Sequence, residues 1–384
     1  MGRWVTCNGR IMTHKPFRFF DNRLKYLTFV NTTNEKWRIS ERITQELAHI
    51  QPSPPALRVF DAGMGDATVL SNTMRAMHRL HPNTPFFLAG KEISLEDLRL
   101  SLDKLPDRLV EHPASVVAMT NMFYSEAPWL HPNNPKVAEN LVWKTVVLEG
   151  HSSIGFQEQL RDLDPFLVEN WQVKSSPKTG NPLYVTPTVL IIYRKDHDFL
   201  LDSVIPRPGD KRADYDLVLA SQPWRARTEP AQKARTVLAP LARSLAPGGR
   251  LVTVQSAGND AGEEIVNAIW PQIDLFPVTR YDLIAALRAE LGDEAADFDM
   301  SIPSDGDALL SYRMHTLPEE IGPSIGTSTL SAAWNAATYV GQIDDQLLEE
   351  TLDGSRHFDV TADVLHKYGD LWFNDEIFVV SRAQ

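Results

Sequence analysis

Between residues 21 and 50 apolar side chains recur every three to four positions. Trp37, Ile39, Ile43, Leu47 and Ile50 predict an amphipathic helix that stops before Pro52, Pro54 and Pro55. Thr32, with Glu35 three positions later, reads as a capping box at its start. The run LRVFDAG then predicts a buried strand over 57–61 and a tight turn. A helix is expected from about Asp66 to Leu80, with Val69, Leu70, Met74 and Met77 on one face. PFFLAGKEIS gives a second strand ending near Glu92, Ser94 with Asp97 caps another helix, and SVVAMTN at 115–121 is a third strand. Alternating strands and helices predict an α/β fold, a mostly parallel sheet with helices on both faces.

The alternation breaks for about ninety residues. Segments 142–149 and 184–194 look β-like, separated by a helix at about 156–170 and the turn-rich SSPKTGNP, so 125–213 reads as an inserted β-containing subdomain. The rhythm resumes with DYDLVLASQPW, a fourth strand at about 215–221, then a helix from about 229 to 245, the turn APGG and a fifth strand, RLVTVQSAG. Beyond it, helices are expected near 261–270, 280–291 and 328–352, and strands near 309–317 and 376–382. The resulting division is a lead-in and helix over 1–56, a main domain over 57–124 and 214–384 that includes a C-terminal extension, and the insertion. Residues 1–20 show no period and read as an extended or mobile lead-in.

Composition narrows the partners. The formal charge over 384 residues is -12, so a nucleic-acid partner would need a segregated basic patch, and the basic stretches 205–212 and 225–235 read as solvated surface. The single cysteine, Cys7, excludes an internal disulfide and a multi-cysteine zinc site, and suits a reducing compartment. The histidines show no metal-ligand spacing. No leader pattern and no apolar run near ~20 residues is present, so no membrane partner is expected and the cytoplasm is the default location. The composition leaves oligomerisation open.

The string VFDAGMGDATVL, 59–70, carries the chemistry. An apolar strand delivers Asp61, two glycines let the backbone approach a ligand, and a helix begins behind them with free N–H groups aimed at the turn. A dinucleotide site wants G-x-G-x-x-G, but Thr68 stands at the third glycine and Asp61 would repel a pyrophosphate.

The arrangement resembles motif I of the class I, Rossmann-like S-adenosylmethionine-dependent methyltransferases, in which acid-x-Gly-x-Gly holds the methionine part of a cationic, phosphate-free cofactor. Further landmarks fall in order: Glu92 where an acid takes both ribose hydroxyls, Thr120-Asn121-Met122 where the adenine is held, Ser221 closing the fourth strand, and Ala246-Pro247-Gly248-Gly249 before the fifth. The resemblance covers 57–124 and 214–258. It implies a three-layer sandwich, S-adenosylmethionine as cofactor, and a cofactor site of Asp61, Gly63, Gly65, Asp66, Glu92, Ile93, Asn121 and Met122. Ala67 stands where many members carry a further glycine, and the insertion between third and fourth strands is large.

Methyl transfer is an in-line displacement, so the protein positions the nucleophile and removes a proton where one must leave. Ser221-Gln222-Pro223-Trp224 resembles the short motif with which amino-methyltransferases hold a planar nitrogen and stack an aromatic ring on it; the competing reading is a plain loop with Trp224 in the core. A second candidate is His151 in LEGHSS, a general base or a surface histidine. Tyr26, Thr33, Lys36 and Trp37 either fold over the cofactor or pack their helix on the sheet. The acceptor implied is a small molecule or a protein side chain. The rivals are a non-catalytic scaffold of the same fold and an aminopropyltransferase.

Overall fold

The computed structural model describes residues 23–177, 180–351 and 354–384. The lead-in, Cys7 and part of the SSPKTGNP turn lie outside the described residues.

Twelve strands form among the described residues: β1 Leu57–Asp61, β2 Phe86–Lys91, β3 Ser115–Thr120, β4 Val142–Leu148, β5 Val173–Ser175, β6 Pro182–Tyr184, β7 Thr188–Arg194, β8 Tyr215–Ser221, β9 Leu245–Ser256, β10 Phe298–Asp299, β11 Leu309–Arg313 and β12 Trp372–Arg382. Ten of them make one sheet, ordered β10-β12-β9-β8-β1-β2-β3-β7-β4, with β11 pairing β12. The five from β9 through β8, β1 and β2 to β3 are all parallel. A dinucleotide-binding sheet runs 3-2-1-4-5-6. Here β12, the last strand of the chain, runs antiparallel to both β9 and the two-residue β10 that it separates.

The strands alternate strictly, as two-sided burial requires. Leu57 and Val59 of β1, Phe86 and Leu88 of β2, and Leu217 and Leu219 of β8 enter one core, with Ile39, Leu70 and Leu98 of the covering helices. Phe60, Phe87 and Val218 enter the other, with Leu241 and Leu283 from helices on the opposite face. The result is the expected three-layer α/β sandwich.

Several local expectations need correction. Thr32 does not open a capping box: it ends a separate helix, Arg23–Thr32, where its hydroxyl donates back to the Thr28 carbonyl at 2.7 Å, and Asn34 takes the N-cap of Glu35–Leu47. The helix expected over 229–245 is Pro230–Lys233, a π-turn Ala234–Leu238 and Ala239–Arg243. Pro240 supplies no N–H to the ladder, and the wider turn just before it absorbs that defect. APGG is a bulge within β9: Tyr215 faces Leu245, yet Leu217 faces Arg250. Gly249 is required there, since a Cβ would stand 2.5 Å from the Tyr215 carbonyl oxygen. The helix expected over 328–352 is two, Thr327–Val340 and Asp345–Thr351, and a further helix, Arg356–Tyr368, ends on the left-handed Gly369.

Two compact units divide the chain. The α/β unit comprises Asn34–Ala257, Phe276–Tyr312 and Asn374–Gln384. All of 125–213 falls within it: β7 pairs antiparallel with β3, β4 pairs parallel with β7, and only the hairpin β5–β6 stands apart from the large sheet. The described part of the second unit, Gly258–Leu275 and Arg313–Phe373 with residues 23–33, is mainly helical. Phe29 packs there on Tyr339 and Phe373, and Trp334 on Trp270 and His357. No helix among the described residues is long and apolar enough to cross a membrane.

Candidate functional site

The chain order reverses at β1: β2 and β3 lie to one side of it, β8 and β9 to the other. In open α/β sheets, ligands bind outside the carboxyl ends of the strands at such a switch point. Asp61 and Ser221 close β1 and β8 at this crevice, and the Ala62 N–H still bonds the Leu219 carbonyl at 2.8 Å. Gly63 follows, exposed; a Cβ placed on it would meet only the Ser221 carbonyl, at 3.8 Å, so the space above it is open.

Hydrogen bonds to neighbouring elements shape the turn. Met64 N–H donates to the Lys91 carbonyl at 3.0 Å, and its side chain is buried. Gly65, at φ 52°, donates its N–H to Glu92 Oε2 at 2.8 Å, while Ser94 N–H reaches Glu92 Oε1 at 2.7 Å. Ala67 adopts φ 57°, the left-handed region in which a glycine is unstrained. The helix Thr68–Leu80 starts behind it.

The acids at the turn differ in state. Asp61 is 3% exposed and accepts from the Gly63 N–H at 3.2 Å. Burial, reinforced by Glu92 and Asp66, pushes its carboxyl up to about 7 against the pull of the Gly63 hydrogen bond and Lys36. Asp97 is pushed up to about 6, by burial and then by Glu92; the Ser94 hydroxyl caps its helix, accepting from Asp97 N–H at 3.3 Å. Asp66 behaves oppositely. Burial raises it, but Lys36 and Lys104 outweigh burial and hold it well below the usual carboxylate range.

Among the cofactor residues expected from sequence, Asp61, Gly63, Gly65 and Glu92 come together at the crevice. Each Glu92 oxygen takes one backbone N–H and keeps acceptor capacity for hydroxyls. Ile93 follows Glu92 on the same loop and is half-buried. Asp66 lies in the turn with its carboxylate taken by Lys36, by Lys104 at 2.6 Å, and by Thr68 through its hydroxyl at 2.7 Å and its N–H at 3.2 Å. The Asn121 amide donates to the Thr186 carbonyl at 2.9 Å and accepts from Thr188 N–H at 2.9 Å, fastening β3 to the start of β7. Met122 is fully buried.

Of the acceptor residues, Ser221 closes β8 as expected. Trp224 is 8% exposed and donates its indole N–H to Gln255 Oε1 at 3.0 Å, with Lys233 Nζ 5.3 Å from the ring, so the core reading holds. Gln222, at φ 49°, donates to Ser256 Oγ and Asp375 Oδ1, both at 3.1 Å, and ties the ends of β8, β9 and β12. His151 lies at the opposite rim. It follows β4, whose last residue Leu148 pairs with Arg194, next to Tyr193, which faces Val116 near the start of β3. The length of a six-residue strand, roughly 20 Å, separates that rim from the crevice. There His151 meets Asp196 at 3.3 Å.

Of the lead-in residues, Lys36 reaches the turn through Asp66, whereas Trp37 is exposed. Tyr26 and Thr33 belong to the helical unit, where Tyr26 stands 6.2 Å from the Tyr339 ring and the Thr33 hydroxyl donates to the Phe29 carbonyl at 3.0 Å. Tyr124 carries no sequence signal, yet it spans the crevice rim. Its hydroxyl donates to the Pro223 carbonyl at 3.0 Å and its ring lies 4.7 Å from Lys91 Nζ.

No protein-family model and no curated protein sequence matches the chain. Among solved structures it is similar to the [4+2]-cyclase SpnF, at 13% identity and TM-score 0.33, covering 89% of this chain and 81% of that one. It is also similar to geranyl diphosphate methyltransferase in complex with GPP and sinefungin, at 10% identity and TM-score 0.31, covering 89% and 78%. A putative sarcosine dimethylglycine methyltransferase from Galdieria sulphuraria is similar at 10% identity and TM-score 0.32, covering 90% and 86%. Likeness at this level says nothing about chemistry.

Proposed function

We propose that the protein binds S-adenosylmethionine at the crevice between β1 and β8 and transfers its methyl group to a small-molecule or protein nucleophile. The observation that carries this reading is the buried Asp61 carboxyl at the sheet's switch point, with Glu92 beside it and open space over Gly63. Acids at that position repel a pyrophosphate and favour a ligand bearing an ammonium and a sulfonium. The residues fit such a ligand: Asp61 supplies the counter-charge, and Glu92 supplies acceptors for two ribose hydroxyls.

When bound, this cofactor supplies a methyl carbon already activated by its sulfonium. The chain's own task is then to orient the cofactor and to hold an acceptor in line at the ends of β8 and β9. Isothermal titration tests the reading. S-adenosylmethionine should release heat and NAD should not, and Asp61→Ala should lose most of the binding. Titration of the wild-type protein without heat, or an undiminished Asp61→Ala variant, sinks it. Titrating the decarboxylated analogue alongside separates aminopropyl transfer.

A second reading, a fold that holds the ligand without transfer, is favoured by Trp224 lying in the core and His151 at the far rim. Binding with no S-adenosylhomocysteine formed over a panel of amine, hydroxyl and protein acceptors would select it.

A further inference from the structure

We infer that Lys36 and Lys104 are positioning residues for the cofactor turn, holding it from two separate helices through Asp66. The inference rests on the reading of that turn given above.

The turn does not hold its shape by local geometry alone. Gly65 and Ala67 both sit in the left-handed region, and at Ala67 a Cβ opposes it. The helix Leu95–Glu111 grips the carbonyls on either side of this strain: Ser101 donates its hydroxyl to Gly65 O at 2.8 Å, and Lys104 donates to Asp66 O at 2.6 Å. Lys104 also pairs with Asp66 Oδ2 at 2.6 Å, while Lys36, from the helix Glu35–Leu47, pairs with Oδ1. The Lys36 and Asp66 side chains are 15% and 11% exposed, so solvent and salt screen this contact little. Asp66 is thereby fixed one residue before the strained alanine, and Gly65 keeps its N–H on Glu92.

Charge alone and positioning predict opposite signs. Removing a lysine cation near a cationic ligand should strengthen binding if only Coulomb attraction matters. It should weaken binding if the lysine's work is to hold the turn. Isothermal titration with S-adenosylmethionine as the probe separates them, using wild type, Lys36→Met, Lys104→Met, Lys104→Arg and the pair Ala67→Gly with Lys104→Met.

The expected result is binding about tenfold weaker in each methionine variant, the loss of one charge-assisted contact. Lys104→Arg should recover most of it. Ala67→Gly should reduce the loss caused by Lys104→Met, because glycine takes the left-handed conformation unaided. Lys36→Met and Lys104→Met that bind as well as or better than a binding-competent wild type overturn the clamp and leave the functional reading standing. So does a Lys104→Arg variant no better than Lys104→Met. A wild-type protein that releases no heat with the probe overturns both.

Discussion

Asp61 holds a proton near neutrality because burial removes it from water and two neighbouring carboxylates oppose its charge. Its carboxyl is pushed from 3.8 to about 7, so between those values the folded chain binds a proton that the unfolded chain has released. The sign follows: this group's contribution to stability declines as pH rises through that window and is level above it. A cationic ligand needs the ionised form, so its binding below about pH 7 must expel the proton, and affinity should rise with pH by at most about tenfold per unit. Titrations in buffers of different ionisation heat, at about pH 6 and about pH 8, should reveal proton release only at the lower pH. Asp61→Asn should lose that dependence, and a wild-type affinity flat across the range would count against the assignment. The residues whose placement was legible in sequence, Asp61, Gly63, Gly65 and Glu92, are those set by the adjoining strand ends and by backbone requirements. The side-chain partners of Asp66, Asn121 and Trp224 were not legible, because Lys104, Thr186 and Gln255 lie 38, 65 and 31 residues away.

The elements were read best where burial imposes a period. β1, β2, β3 and β8 are buried on both faces and appear as short apolar runs, and the helix Thr68–Leu80 shows a continuous apolar stripe. What the run of apolar residues does not contain is pairing order, so the insertion's strands gave no sign that they would extend the main sheet beyond β3. The Pro-Gly-Gly turn was legible as a turn, but its work as a bulge depends on Tyr215, more than thirty residues upstream. Gly249→Ala tests that account. The added methyl would meet backbone, which cannot rotate away, so the β8–β9 pairing must shift, at a cost of about 1–3 kcal/mol in urea unfolding. Tyr215 opens β8 and Ser221 closes it, so the strain lies at the end remote from the crevice, and the folded variant should bind S-adenosylmethionine like the wild type. An unchanged unfolding midpoint would mean that the close approach at Gly249 is not built as described.

At the scale of the molecule, the sheet's switch point decides where chemistry can sit, and charge decides what can approach it. Sequence order suggested a candidate base at His151, but the antiparallel β7 reverses the local direction, and parallel β4 then delivers that residue to the rim away from Asp61. Only topology could reveal this, because the peptide around His151 is locally the same at either rim. Charge adds its own constraint. The chain carries 38 lysines and arginines against 50 acids, and Asp61, Glu92 and Asp97 gather at the crevice while Lys36 and Lys104 pair with Asp66. On the proposed reading, a polyanion meets acids at this site and a net negative charge on the chain. Labelled duplex DNA and single-stranded RNA should show no anisotropy change with micromolar protein at physiological salt. Retention at low salt that weakens steeply as salt is added would reveal a segregated basic surface and reopen nucleic acid as the acceptor. Absence of such binding would favour the proposed small-molecule or protein acceptor, since a neutral or cationic group approaches the acidic crevice without electrostatic work.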